Sequence, residues 1–269
     1  MNCCICGPVK NCAPYLKKVF ENIEKIGSIF DDYTILIYYD KSSDNSLEIL
    51  QEYQQRNPRL KLYINKHKLK PFRTYNIAIA RNACLKYIKT HKDTYPFFIM
   101  MDFDDVNCKN CNPEILKPYL TRTDWDGLSF NTSPAYYDIW GLSIYPYCFS
   151  YNHFKNNVQQ YTVIQNYVTS LLNKLPPGQL LPCISSFNGF AVYRTSHFLN
   201  TYYDGSIRRD LIPAAHMRAH KIAAQSPVIF KIYGTVDGRY EDCEHRAFHI
   251  QASHNSGAII RISPEVLFF

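Results

Sequence analysis

Along the first hundred residues, short apolar runs alternate with amphipathic stretches. Asn2–Cys6 reads as a strand, Tyr15–Ile26 as a helix, Tyr33–Tyr39 as a strand and Ser46–Gln55 as a helix. Leu60–Ile64 is strand-like. Thr74–Lys89 carries Ile77, Ala80, Ala83, Cys84, Tyr87 and Ile88 on one helical stripe, and Phe97–Met101 reads as a buried strand. The order βαβαβαβ requires parallel crossovers, and in open parallel sheets ligands gather beyond the carboxyl ends of the strands. The predicted class is α/β, a mixed and mainly parallel sheet flanked by helices.

The pattern loosens after residue 106. A strand is predicted at Gly127–Asn131, then a tyrosine-rich stretch over Tyr136–Tyr151, a helix at Val158–Lys174 and a linker at Leu175–Pro182. An apolar run at Phe187–Tyr193 leads into a polar excursion from Thr195 to Gln225. A strand at Val228–Tyr233, a helix from Glu241 and a last strand at Ala258–Ile262 follow. No internal repeat or second domain is evident, so residues 1–269 read as one domain.

Chemistry sits where those strands end. The run FFIMM delivers Asp102 and Asp104 two residues apart, with Asp105 beside them. Side chains at i and i+2 of an extended backbone point the same way, so two carboxylates converge. They repel unless a cation lies between them, and oxygen ligation suits Mg2+ or Mn2+, which can also hold a diphosphate. The bland alternative is a solvated acidic turn. Near the other end, Asp242, His245 and His249 share one helical face, a spacing that metal ligands use. Helix-face or hydrogen-bonding histidines are the competing reading.

Composition narrows the classes. With 46% hydrophobic and 20% charged residues, collagen, coiled coil and low-complexity disorder are excluded. A net charge of +7 suits phosphate ligands, but basic runs such as Lys66–Lys70 are dispersed and form no stripe for nucleic acid. No stretch approaches the ~20 apolar residues of a membrane span and no signal peptide is visible, so a soluble, intracellular protein is expected. The 10 cysteines then read as reduced thiols; Cys108 and Cys111 form a C-x-x-C pair without the second pair a zinc site needs.

Three ordered segments carry a family resemblance. IAIARNACLKYI followed by YPFFIMMDFDD resembles the Ala-Arg-Asn helix and the hydrophobic-Asp-x-Asp-Asp strand end of family 2 and related GT-A-fold glycosyltransferases. YYDKSSDNSLEIL stands where that family has a strand ending Asp-Asp-Gly-Ser-x-Asp. RYEDCEHRAFHIQASHNSGAIIRISPEV resembles its later Glu-Asp-x-(Asp/Glu) helix, with Gly257 and Pro264 in the positions that follow. Lys41 replaces the glycine after Asp40, and Ala83-Cys84 follows Ala-Arg-Asn where the family has glycine. Tyr-Asp-x-Trp at 137–140, Phe-Asn-Gly at 187–189 and the terminal C-E-H-x-x-F-H are closer to viral and fungal-type GT-A branches. With the Asn, Ile, Lys and Tyr content, that points to a giant virus and to host cytoplasm or virion.

The resemblance implies a metal-dependent transferase that moves a sugar from a UDP-sugar, or another nucleotide-diphosphate sugar, to a hydroxyl of a glycan or protein, with residues 1–106 as its nucleotide-binding half and 107–269 as its sugar- and acceptor-binding half. Asp40 is then expected near the base, with the main chain at Gly7-Pro8-Val9 lining the uridine pocket. Arg81 is expected near the donor-binding carboxylates, Asp102 near ribose or metal, and Asp104 on Mn2+ or Mg2+. Arg73 is a diphosphate candidate because a guanidinium offers forked donors. Asp242 is implied as general base, with Glu241 and Glu244 as alternates. His249 is implied as a late metal ligand, with His245 and His254 as alternates. Asn188 and Gly189 are expected near the donor sugar, and Asp138 and Trp140 near the sugar or acceptor, since rings cover sugar faces while carboxylates and amides fix hydroxyls. A homo-oligomer is allowed.

Other classes are weaker. Asp-x-Asp after a strand is also the nucleophile motif of haloacid-dehalogenase-like phosphatases, but that fold expects Thr where Val106 stands. A catalytically inactive carbohydrate-binding module of the same fold is the non-enzymatic alternative.

Overall fold

The computed structural model describes residues 1–147, 158–225 and 241–269. Strands β1 (Asn2–Val9), β2 (Asp32–Tyr39), β3 (Leu60–Ile64) and β4 (Phe97–Met101) alternate with helices α1 (Ala13–Gly27), α2 (Ser46–Arg56) and α3 (Arg73–Thr90). Then come β5 (Gly127–Asn131), α4 (Val158–Asn173), β6 (Leu181–Pro182), β7 (Phe190–Arg194), α5 (Ala214–Ala224), α6 (Glu244–Ser256) and β8 (Ile260–Val266). They form one sheet of 8 strands in the order β3-β2-β1-β4-β7-β5-β8-β6. β3, β2, β1 and β4 are parallel; β7 runs against both β4 and β5, and β5 pairs parallel with β8. The mixed, mainly parallel sheet read from the sequence is the sheet observed.

Strand alternation explains the two-sided core. Cys3, Ile5, Ile35, Ile37, Ile99 and Met101 point to one face, where Leu16, Val19 and Ile23 of α1 cover them. Cys4, Cys6, Leu36, Phe98 and Met100 point to the other, against Ala78, Cys84 and Ile88 of α3 and Phe248 and Ala252 of α6. A strand buried on both faces reads as a continuous apolar run, which is why FFIMM was legible. The 9 cysteines among the described residues are all free thiols, as expected for a core of this kind.

The second half departs further from the pattern. Within the polar excursion, α5 forms without an apolar stripe and buries His216 and His220 instead. The predicted linker ends in β6, which closes the sheet edge antiparallel to β8. The helix read from Glu241 starts at Glu244, and the last strand runs on through Ser263 and Pro264. The predicted strand Val228–Tyr233 and the end of the tyrosine-rich stretch lie outside the described residues. Among the described residues no helix is long and apolar enough to cross a membrane.

Candidate functional site

The carboxyl ends of β1, β2 and β4 open into a cleft with two chambers. The larger, about 390 Å3, is lined by Pro8, Lys10, Asp40, Lys70, Asp102 and Asp104 among others. The smaller, about 200 Å3, is lined by Arg81, Tyr137, Asp138, Trp140, Glu244 and His245 among others. Arg73, Ile77 and Asp102 border both, so the chambers meet at the first carboxylate after β4. Their combined size suits a small-molecule ligand.

In the larger chamber Asp40 is buried and accepts a hydrogen bond from Asn65 Nδ2 at 2.7 Å. Burial pushes its carboxyl above the usual range, against that bond and the nearby Lys10. Pro8 lines the chamber. Val9 does not: its side chain is fully buried and its carbonyl accepts from Asp40 N at 2.9 Å. Gly7-Pro8-Val9 belongs to β1 itself rather than following it. Lys10 and Lys70 were missed. Lys10 is the first residue beyond β1, the position where ligand contacts concentrate, and Lys70 ends the basic run read as dispersed charge.

Asp102 is anchored twice. Its backbone N donates to Gly189 O at 2.9 Å, and its Oδ1 accepts from Arg81 Nη2 at 2.7 Å. The same guanidinium places Nε 3.2 Å from Glu244 Oε1 and lies over the Phe187 ring at 4.3 Å. Arg81 therefore spreads one charge over two carboxylates that face the cleft. Among the described residues Asp104 has no ion pair, only a hydrogen bond from Val106 N at 3.3 Å; burial first, and then the charge of Asp102, push its carboxyl up to about 7. Such a group gains from a cation nearby.

The Glu-Asp-x-Glu segment sends its three carboxylates to three different surroundings. Asp242 lines neither chamber; it is buried and its Oδ2 accepts from Arg246 Nε at 2.9 Å. Arg246 also donates to Trp140 O at 2.6 Å, to Leu142 O at 3.1 Å and to Ser143 Oγ. Glu241 accepts from Thr74 Oγ1 at 2.8 Å and Thr74 N at 3.3 Å. It thus serves the first turn of α3, which has no side-chain N-cap of its own, and a carboxylate is favourable there. Of the three candidate bases, only Glu244 reaches the cleft.

The histidines are redistributed too. His249 is fully buried, with Nδ1 3.0 Å from Ser185 Oγ and Nε2 3.0 Å from Tyr193 OH. Both ring nitrogens are committed to those hydroxyls, and the ring lines neither chamber. Burial holds its pKa down to about 3. His254 is exposed in the last turn of α6. His245 alone lines the cleft, stacked on Phe187 at 3.7 Å with neither nitrogen hydrogen-bonded. Burial, then Arg81, keep it neutral. Among the described residues no three His, Cys, Asp or Glu side chains converge to hold a cation by themselves.

Asn188 and Gly189 do not line the cleft; they build it. Both are left-handed, at φ 58 and φ 81. Asn188 Oδ1 accepts from Tyr137 N at 3.0 Å and Asp138 N at 2.8 Å, while Nδ2 donates to Phe130 O at 2.7 Å. A Cβ on Gly189 would come 2.8 Å from Val106. Asp138 and Trp140 line the smaller chamber.

The family model described as Glycosyl transferase family 2 matches residues 4–171. No curated protein matches the chain. Among solved structures it is similar to S. aureus TarS 1-349 in complex with UDP-GlcNAc, at 13% identity and a TM-score of 0.49, over 100% of this chain and 57% of that one. It is similar to the mannosyltransferase PcManGT from Pyrobaculum calidifontis in complex with GDP-Man and Mn2+, at 11% identity and a TM-score of 0.42, over 98% of this chain and 56% of that one. A third is glucosyl-3-phosphoglycerate synthase from Mycobacterium tuberculosis with Mn2+, UDP and phosphoglyceric acid, at 12% identity and a TM-score of 0.42, over 75% and 58%. The chain thus spans less than two thirds of the length of each.

Proposed function

Because the chain belongs to glycosyl transferase family 2, we propose that it transfers a sugar from a UDP-sugar to a hydroxyl of a glycan or protein, with a divalent cation at Asp104 and Asp102. The observation that carries this reading is the meeting of the two chambers at Asp102, beside a carboxylate pushed up to about 7. The larger chamber has room for a nucleoside diphosphate, with Asp40 and Asn65 at the base and Lys10, Lys70 and Arg73 toward the phosphates. The smaller would take the transferred sugar and the acceptor against Trp140 and Tyr137.

The residues fit a cation of the Mg2+ or Mn2+ type. Such ions are commonly held by one or two carboxylates and complete their shell with substrate phosphates and water, so two aspartates suffice. When bound, the cation supplies charge neutralisation for the departing diphosphate. The chain's own part is to orient. Arg81 fixes Asp102 in place, Gly189 O fixes the backbone beneath it, and Arg73 stands where the two chambers join.

Asp104→Ala should abolish Mn2+-dependent UDP release from UDP-sugars, measured as free UDP over time. Unchanged turnover in that variant would remove the cation from the reading.

A further inference from the structure

Two fully buried asparagines stand behind the turn that follows β4, and neither lines the cleft. Asn22 sits on α1 among the buried Val19, Phe20, Ile23 and Ile26, where a core-facing stripe would take another apolar residue. Asn107 lies in the turn itself. A buried amide is costly unless its hydrogens are used, and here all of them are. Asn107 Nδ2 donates to Asp102 O at 2.8 Å and to Gly189 O at 2.7 Å. Asn22 Nδ2 donates to Asn107 O at 2.8 Å and to Lys109 O at 2.7 Å. Every partner is a main-chain carbonyl, which fixes the orientation of both amides, since a flipped amide would set oxygen against oxygen.

The turn is thereby closed at both ends. Asp102 N donates to Gly189 O at 2.9 Å, so this one carbonyl receives the first residue of the segment 102–107 through its backbone and the last through its side chain. Asp104 lies between the two anchors, its Oδ1 accepting from Val106 N at 3.3 Å. Gly189 packs tightly beneath it: a Cβ there would come 2.8 Å from Val106 Cγ1. Asn188, the neighbouring residue, holds the N–H groups of Tyr137 and Asp138. The segment that carries Asp102 and Asp104 and the wall of the smaller chamber therefore share one anchor.

An ion of the Mg2+ type demands near-ideal octahedral geometry with ligands at about 2.0–2.1 Å, and a carboxylate on a turn meets that demand only if the turn is held. We propose that Asn107 is a positioning residue for Asp102 and Asp104, clamping their turn to Gly189, and that Asn22 holds the clamp from α1; this rests on the cation reading above. Both amides act through the backbone of the turn, from behind the cleft.

The test uses the full chain and follows UDP binding by calorimetry twice, with Mn2+ and with EDTA in its place. It also follows the Mn2+ concentration that gives half-maximal UDP release from UDP-glucose, UDP-galactose or UDP-GlcNAc, and the melting temperature. Asn107→Ala should weaken UDP binding in Mn2+ by about 10–100-fold, the loss usual when a residue behind metal ligands is removed, and raise the Mn2+ requirement, while binding in EDTA stays at the wild-type value. Asn107→Ser, which keeps one donor hydrogen, and Asn22→Ser should show the same shift at smaller size. Asn57→Ala is the control. It too removes an amide that donates twice, to Glu24 Oε1 at 2.7 Å and Tyr53 OH at 2.9 Å, outside both chambers, and should lower the melting temperature without moving either Mn2+ readout. Wild-type Mn2+ dependence in a folded Asn107 variant, or failure of all three cleft-side variants to fold, would overturn the assignment and leave the cation reading standing. A wild-type chain whose UDP binding and release do not respond to Mn2+ would overturn both.

Discussion

Two arginines lie buried on either side of the cleft wall, Arg81 on α3 and Arg246 on α6, and they behave differently. Each pairs with a carboxylate from the Glu-Asp-x-Glu segment. Arg246 is saturated: beyond Asp242 it holds the carbonyls of Trp140 and Leu142 and the hydroxyl of Ser143. Arg81 leaves Nη1 without a hydrogen bond, and both its partners face the chamber. A saturated buried charge holds a loop in place. One that is undersatisfied and surrounded by cleft carboxylates sets the electrostatics of a site where further charge is to arrive.

The largest expected effect separates the two by stability. Arg246→Met should cost about 3–5 kcal/mol, because it strands a buried carboxylate and three acceptors. Arg81→Met should cost less, since Asp102 and Glu244 border the cleft, while UDP release should fall sharply; denaturant melts and turnover measured on both variants make the comparison. Equal stability losses would mean that Arg81 is a structural staple like Arg246. Next in size, Asp242→Asn should lose about 1–3 kcal/mol and leave the turnover of the folded fraction close to wild type, because the carboxylate lies outside the cleft. A stable variant that binds UDP but is inactive would assign the base to Asp242.

The most gradual effect concerns His249 of α6, whose neutral ring bridges Ser185 and Tyr193. Its folded pKa, about 3, lies below the ordinary histidine value of 6.5. Its contribution is therefore complete above pH 6.5 and is lost as pH falls toward 3. The stability advantage of wild type over His249→Gln should shrink below pH 6.5, by at most about 1.4 kcal/mol per pH unit. A constant difference from pH 7 to 4 would show that the ring is not held neutral.

Legibility followed burial pattern. FFIMM, with the carboxylates behind it, could be read because a strand covered on both faces has an unbroken apolar signature and places its next residues at the ligand edge. Asp40, Arg73, Arg81, Asp102, Asp104, Asp138, Trp140 and Glu244 all reach the cleft. Helix α5 was not legible, because it buries histidines where an apolar stripe would have announced it. The roles within the Glu-Asp-x-Glu segment were not legible either. Four consecutive residues that include three carboxylates give no sign of which one meets Arg246, which one serves α3 and which one turns to the chamber.

Sequence alone determined the parallel half of the sheet, the strand ends that carry carboxylates and the family to which the chain belongs, because periodicity and short-range order are local properties. The tertiary structure decided the chemistry of each group. It paired Asp242 with Arg246, set Glu241 against Thr74 and His249 between Ser185 and Tyr193, gave Arg81 two carboxylates to share, and used Asn188 and Gly189 to hold the backbone at Asp138 and Asp102. The reason is physical: whether a carboxylate acts as a base, a cap or half of an ion pair depends on which charge lies a few ångströms away, and those neighbours stand dozens of residues apart in the chain.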